Sequence, residues 1–154
     1  MKKLIGLIII VLNVSCTTDS RKRIYLIKDN YEGPLALIQE DSSANYPKIS
    51  GDTIYFDFTE SNIFRCNGKF IEGTFSASNI KYMYVDSLGS KREIKFMFKN
   101  KTLTSDDDVY VYPSYSQVRE HSQCDIICRP KYLDYYLEQQ QKLCDSLFAV
   151  RVTR

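Results

Sequence analysis

The chain has 154 residues, enough for one domain with a substantial core and too few for two. Its 21 basic and 19 acidic residues nearly balance, with Lys2 and Lys3 carrying the excess, so charge gives no case for nucleic-acid binding. Tryptophan is absent, but twelve tyrosines and eight phenylalanines favour strands, where rings pack across a pleated surface.

Lys2 and Lys3 form a basic start, and Leu4 to Leu12 follow as an apolar run broken only by Gly6. That length matches a signal-peptide core and is too short to span a bilayer as a helix. The run ends at Asn13-Val14-Ser15-Cys16. This resembles the lipobox of bacterial lipoproteins, in which a small residue precedes the cysteine that is acylated and becomes the new N-terminus. Asn13 departs from the leucine usual at its place. The resemblance implies that residues 1–15 are a signal peptide and that Cys16 carries long acyl chains such as palmitate. One chain alone binds a membrane only marginally, so the two signals of a diacylated, N-acylated cysteine are what make an anchor firm. Residues 16–22 then form a lipidated tether. The segment Thr17–Arg23 is polar and basic and lacks an acidic cluster, which points to the outer membrane, facing the periplasm.

Strand patterns follow in order. Arg23–Lys28 and Leu35–Gln39 read as two strands on either side of the turn-rich Asp29-Asn30-Tyr31-Glu32-Gly33-Pro34. In Asp52–Phe58, Ile54, Phe56 and Phe58 alternate with Tyr55 and Asp57, as in a half-buried strand. Asn62–Cys66 and Lys69–Phe75 flank Asn67-Gly68, a hairpin signal. Ile80–Val85 and Arg92–Phe98 flank Asp86-Ser87-Leu88-Gly89-Ser90, the clearest hairpin, and Val109–Tyr112 closes the series.

After Pro113 the pattern changes. Within 131–148, Leu133, Tyr136, Leu137, Gln140, Leu143, Cys144, Leu147 and Phe148 recur at three-and-four spacing, predicting an amphipathic helix with Pro130 near its first turn. Gln117 lies three residues after Ser114, as in a capping box, which predicts a shorter helix within 114–128.

The stretch IYLIKDNYEGPLALI resembles the opening of a family of bacterial lipoprotein domains of Bacteroidota/Bacillota type, whose first hairpin reads roughly Leu-Ile-Pro-x-x-Tyr-x-Gly. Tyr25, Leu26, Ile27, Tyr31, Gly33 and Pro34 match, and Lys28 replaces the usual proline. YMYVDSLGSKREI resembles a later hairpin of the same family, so the likeness spans residues 23–98. It implies a small β-sandwich in the envelope and supplies no activity.

Cys66, Cys124, Cys128 and Cys144 remain besides Cys16, and an even count in an oxidising envelope makes them disulfide candidates. Cys144 with Cys124 or Cys128 is the favoured pairing, with Cys66 taking the one left over. The same region offers a different chemistry, a zinc site from His121, Cys124, Cys128 and Cys144, although these spacings match no common structural motif. His121 is the one histidine, and a hydrolase would have to use it. No Gly-x-Ser-x-Gly elbow exists, and Ser122 and Asp125 read as ordinary surface residues. Asp106-Asp107-Asp108 lacks a calcium-loop pattern and reads as a solvated turn. SGDTIY at Ser50–Tyr55 loosely resembles a motif of lysozyme inhibitors, with its tyrosine one place late.

The expected molecule is mainly β: a small β-sandwich (Ig/transthyretin-like) over residues 23–112, then a Cys-containing helical extension over 113–154 with an amphipathic α-helix. The expected role is a non-enzymatic binding or structural module, anchored through the lipid on Cys16 and open to an envelope protein partner. No cofactor, metal or nucleic acid is expected. The competing reading is an envelope enzyme or metal-binding protein built on His121, Cys124, Cys128 and Cys144, and a lysozyme-type inhibitor is a further alternative.

Overall fold

The computed structural model describes residues 21–68, 79–97, 105–113 and 122–149. The domain is mainly β with one C-terminal helix. Its strands are β1 (Lys22–Lys28), β2 (Gly33–Ile38), β3 (Lys48–Ser50), β4 (Thr53–Phe58), β5 (Ile63–Arg65), β6 (Ile80–Val85), β7 (Lys91–Phe96), β8 (Tyr110–Pro113) and β9 (Ser122–Cys128). A 3-10 turn at Pro130–Tyr132 leads into α1 (Leu133–Ala149), so Pro130 sits where its missing N–H costs nothing.

The strands form one sheet in the order β3-β4-β1-β6-β7-β8-β9-β2-β5. It curls until its margins meet: the Phe56 and Phe58 rings of β4 lie 5.8 and 5.7 Å from the Phe64 ring of β5. The alternation read from the sequence sets the faces. Tyr25 and Ile27, Ile54 and Phe56, Tyr82 and Tyr84, and Ile94 all point inward and form the core with Leu35, Leu37, Val111 and Ile127. β2 is buried at all six positions, because one face meets this core and the other meets α1.

The hairpin at Asp86–Ser90 forms as predicted. Tyr82 pairs with Ile94 and Val85 with Lys91, and Gly89 takes φ +80 in the turn. The first two strands do not pair with each other. β1 lies parallel between β4 and β6, while β2 is antiparallel to β9 and parallel to β5. The turn sends the chain to the opposite wall of the curl instead. Among the described residues four of the eight strand pairings are parallel, a connectivity unlike the antiparallel pairing of an immunoglobulin-type sandwich. The helix expected within 114–128 is, over its described part, the strand β9, seated between β8 and β2. Lys69–Phe75 and Ser114–Gln117 lie outside the described residues.

Helix α1 turns Cys144, Gln140 and the half-buried Leu143 and Leu147 toward β2 and β9. Leu137, placed on that face by the sequence pattern, is 46% exposed, so the docked stripe is narrower than the sequence suggests.

The turn before β2 explains its glycine. Tyr31 donates its hydroxyl proton to the Pro34 carbonyl at 2.7 Å, and Tyr84 donates to the Tyr31 carbonyl at 2.6 Å. Gly33 sits at φ +147, where a Cβ would stand 2.8 Å from the Tyr31 hydroxyl. This is a structural turn that closes one end of the curl. Gly33→Ala is expected to lower the unfolding free energy by about 1–3 kcal/mol, the usual range for a strained backbone position, as read by urea denaturation.

Candidate functional site

Among the described residues three places gather polar or reactive groups: the inside of the curl, the seam under α1, and a hollow on the outer wall.

Inside the curl, the inward-facing positions of β1, β6 and β9 bring together Arg23, Tyr25, Tyr82, Gln123 and Asp125. Tyr25 donates to Gln123 Oε1 at 3.1 Å, and Tyr82 donates to Asp125 Oδ2 at 2.5 Å. The Gln123 amide donates to the same Asp125 oxygen at 2.6 Å and to the Tyr82 hydroxyl oxygen at 3.3 Å. The Tyr25 and Tyr82 rings stack at 4.4 Å. Asp125 is only 2% exposed, which corrects its reading as a surface residue. The physical reason is its strand: on β9, residues 123, 125 and 127 face the core, and a hydroxyl and an amide meet the carboxylate there. Sequence reasoning missed this group because the segment was read as helix. Strand alternation in SQCDIIC was the available signal.

Burial pushes both phenols well above their ordinary value, and the Asp125 carboxylate adds to the rise. For Tyr25, the Arg23 cation opposes it. A pair held this way is a neutral hydrogen-bond donor set rather than a proton-transfer centre at ordinary pH.

The four domain cysteines are all buried thiols with no bond between them. Burial raises the Cys66 thiol to about 11, helped by Asp41, and the Cys128 thiol to about 12, helped by Glu32. Cys124 is raised further by burial and by the Cys144 thiol beside it. Such thiols are poor nucleophiles. Cys144 Sγ lies 3.1 Å from Cys124 Sγ, at the seam between α1 and β9. Cys128 points to the same face of β9 as Cys124 but four residues along, about 13 Å away. Two sulfurs on one zinc ion stand no more than about 4.6 Å apart, so Cys124 and Cys128 do not share an ion. The Cys66 N–H bonds to the Ile38 carbonyl at one end of β2, whereas Cys128 follows Ile127, the partner of Gly33, at the other. About 20 Å of strand separates them, so Cys66 does not take Cys128 as a leftover partner. Cys16 and His121 lie outside the described residues.

The outer hollow measures ≈ 680 Å³ and opens on the wall formed by β1, β3 and β4. Tyr46, Tyr55, Lys48, Lys91, Arg65 and Asp57 line it. Tyr46 is 68% exposed, Lys91 Nζ stands 5.9 Å from the Tyr55 ring centroid, and Arg65 is held by Asp41 at 3.1 Å. The Ser50–Tyr55 motif is the β3–β4 hairpin, with Gly51 at φ +57 in its turn and Tyr55 facing the hollow. Asp106–Asp108 is an exposed surface turn, in which Lys131 meets Asp107 at 2.8 Å and Lys95 meets Asp108 at 3.9 Å.

No protein-family model matches the chain, and no curated protein sequence matches it. Among solved structures, it is similar to a candidate lipoprotein from Bacillus anthracis. The two are 14% identical with a TM-score of 0.51, over 81% of this chain and 94% of the other. At that identity the likeness is one of fold: a curled, mainly β domain of this kind occurs in that protein.

The buried phenols make stability sensitive to alkali. Their pKa is raised on folding, so their contribution is complete below pH 10, the ordinary value of the unfolded phenol. Above it the unfolded chain gives up protons that the folded chain retains. The unfolding free energy is expected to fall there by about 1.4 kcal/mol per pH unit for each such tyrosine. Denaturant melts from pH 8 to 12, compared with the Tyr25→Phe/Tyr82→Phe variant, check this. The variant should show the shallower alkaline loss.

Proposed function

We propose that the chain is a cell-envelope lipoprotein, anchored through acyl chains on Cys16, whose curled sheet serves as a non-catalytic binding module. The observation that carries the reading is the N-terminal order Lys2-Lys3, Leu4–Leu12, Ser15-Cys16. The likeness in fold to a candidate lipoprotein supports it. The acid-poor tether supports a place on the outer membrane, facing the periplasm. The tether joins the domain at Arg21, next to the start of β1, so this end of the curl would face the lipid.

The site chemistry favours binding over catalysis. Inside the curl Tyr25, Tyr82, Gln123 and Asp125 are bonded to one another, and Cys66, Cys124, Cys128 and Cys144 are buried. The outer hollow, by contrast, is open and of ligand size. Lys48 and Lys91 at its wall, with Tyr46 and Tyr55 beside them, suit an anionic partner of the envelope.

Three measurements test this. The intact mass of membrane-extracted protein should correspond to a chain beginning at Cys16 plus acyl groups, and Cys16→Ala should move the protein to the soluble fraction. A membrane-bound chain that retains residues 1–15 would overturn the anchor. Tyr46→Ala with Lys48→Glu should weaken retention on isolated envelope preparations by about tenfold, the scale of one lost interface anchor, without changing the fold.

A further inference from the structure

We infer that Cys124 and Cys144 are the disulfide-forming pair of this domain, a covalent staple between β9 and α1, and that Cys66 and Cys128 stay as thiols. The argument begins with reach. The two sulfurs lie 3.1 Å apart, so closing to a bond of about 2.05 Å requires an approach of only about 1 Å. The pair joins residues twenty apart in sequence and on different elements, a loop whose closure restricts the unfolded chain.

The seam explains why a staple is useful there. α1 docks on a small satellite cluster of Ala36, Cys124 and Cys144, flanked by half-buried Ile63, Leu143 and Leu147. The Gln140 amide adds one buried hydrogen bond, to the Cys124 carbonyl at 2.9 Å. Among the described residues this contact is thin beside the core inside the curl. The alternatives fail on position. Cys66 belongs to the core cluster inside the curl, and Cys128 lies a long strand-step from Cys124 on the same face.

The chemistry balances through thiol–disulfide exchange. The thiolate of Cys144, the more exposed of the two at 5%, attacks a donor disulfide and displaces one donor thiol. The thiolate of Cys124 then attacks the Cys144 sulfur and displaces the second. Two protons and two electrons leave the cysteines, and the donor ends as two thiols. The donor is a protein disulfide of the envelope's oxidising machinery or, in the test tube, oxidised glutathione. Because both sulfurs are covered once α1 has docked, the bond forms as the chain folds.

The cellular side of this inference rests on the envelope reading above, and the test separates the two. Full-length protein is unfolded, reduced, refolded with oxidised glutathione, alkylated and mapped by peptide mass. The expected result is one linked pair of peptides carrying Cys124 and Cys144, with Cys66 and Cys128 alkylated once the protein is denatured. The linked form should melt at a higher temperature than the reduced form. Alkylatable Cys124 and Cys144 after refolding, or a linkage through Cys16, Cys66 or Cys128, would overturn the pair. The same mapping on protein trapped with acid from cells tests the compartment. A bond in the refolded protein with free thiols in the cell would support the pair and overturn the envelope reading.

Discussion

The fold depends on the contact that crosses the inside of the curl. Tyr25 and Tyr82 stand on neighbouring strands, and their hydroxyls reach Gln123 and Asp125 on β9, several strands around the wall. The rings supply the apolar filling and the hydroxyls supply the donors that a buried carboxylate needs. Without such bonds, β1 and β6 would hold β9 only through the intervening strands β7 and β8. With them, both sides of the curl are fixed at one distance. The margins then meet edge-on through Phe56, Phe58 and Phe64.

That interior also accounts for the position of everything else. With β9 held by its core-facing residues, its other face presents Cys124, Ile126 and Cys128 outward as a buried surface for α1. β2 runs beside it and is covered on both sides. At the far end, Glu32 accepts from the Arg129 backbone at 3.1 Å and pairs with its guanidinium, also at 3.1 Å. This holds the turn before β2 to the start of the helical segment. The outer hollow belongs to the wall formed by β1, β3 and β4, which α1 leaves uncovered.

Much of this was legible in the sequence, and the exceptions have physical causes. β4 declared itself by strict alternation, β6 and β7 by the turn between them, and α1 by its three-and-four spacing. The Asp86–Ser90 turn was carried by local chemistry, an aspartate that accepts backbone protons and a glycine free to take positive φ. Pairing was less visible. A turn rich in Gly and Pro says that the chain reverses, but not whether the next strand lies alongside or across a curl. β9 was hidden because its polar residues Gln123 and Asp125 face inward. Their partners come from residues about forty to a hundred positions away, and no local pattern reports that. The cysteines showed the opposite balance. Their types suggested bonds, but only the strand register separated one close pair from two isolated thiols.

The parallel placement of β1 bears on the order in which the molecule assembles. Its two neighbours begin at Thr53 and Ile80, so the first strand of the domain gains no sheet partner until a long stretch of chain has been made. Parallel pairs close long loops before any contact rewards them, which slows folding and leaves unpaired edges open meanwhile. The strand that completes the interior, β9, comes later still, and the helix that covers it comes last. A chain built in this order remains unfinished almost until its C-terminus is available.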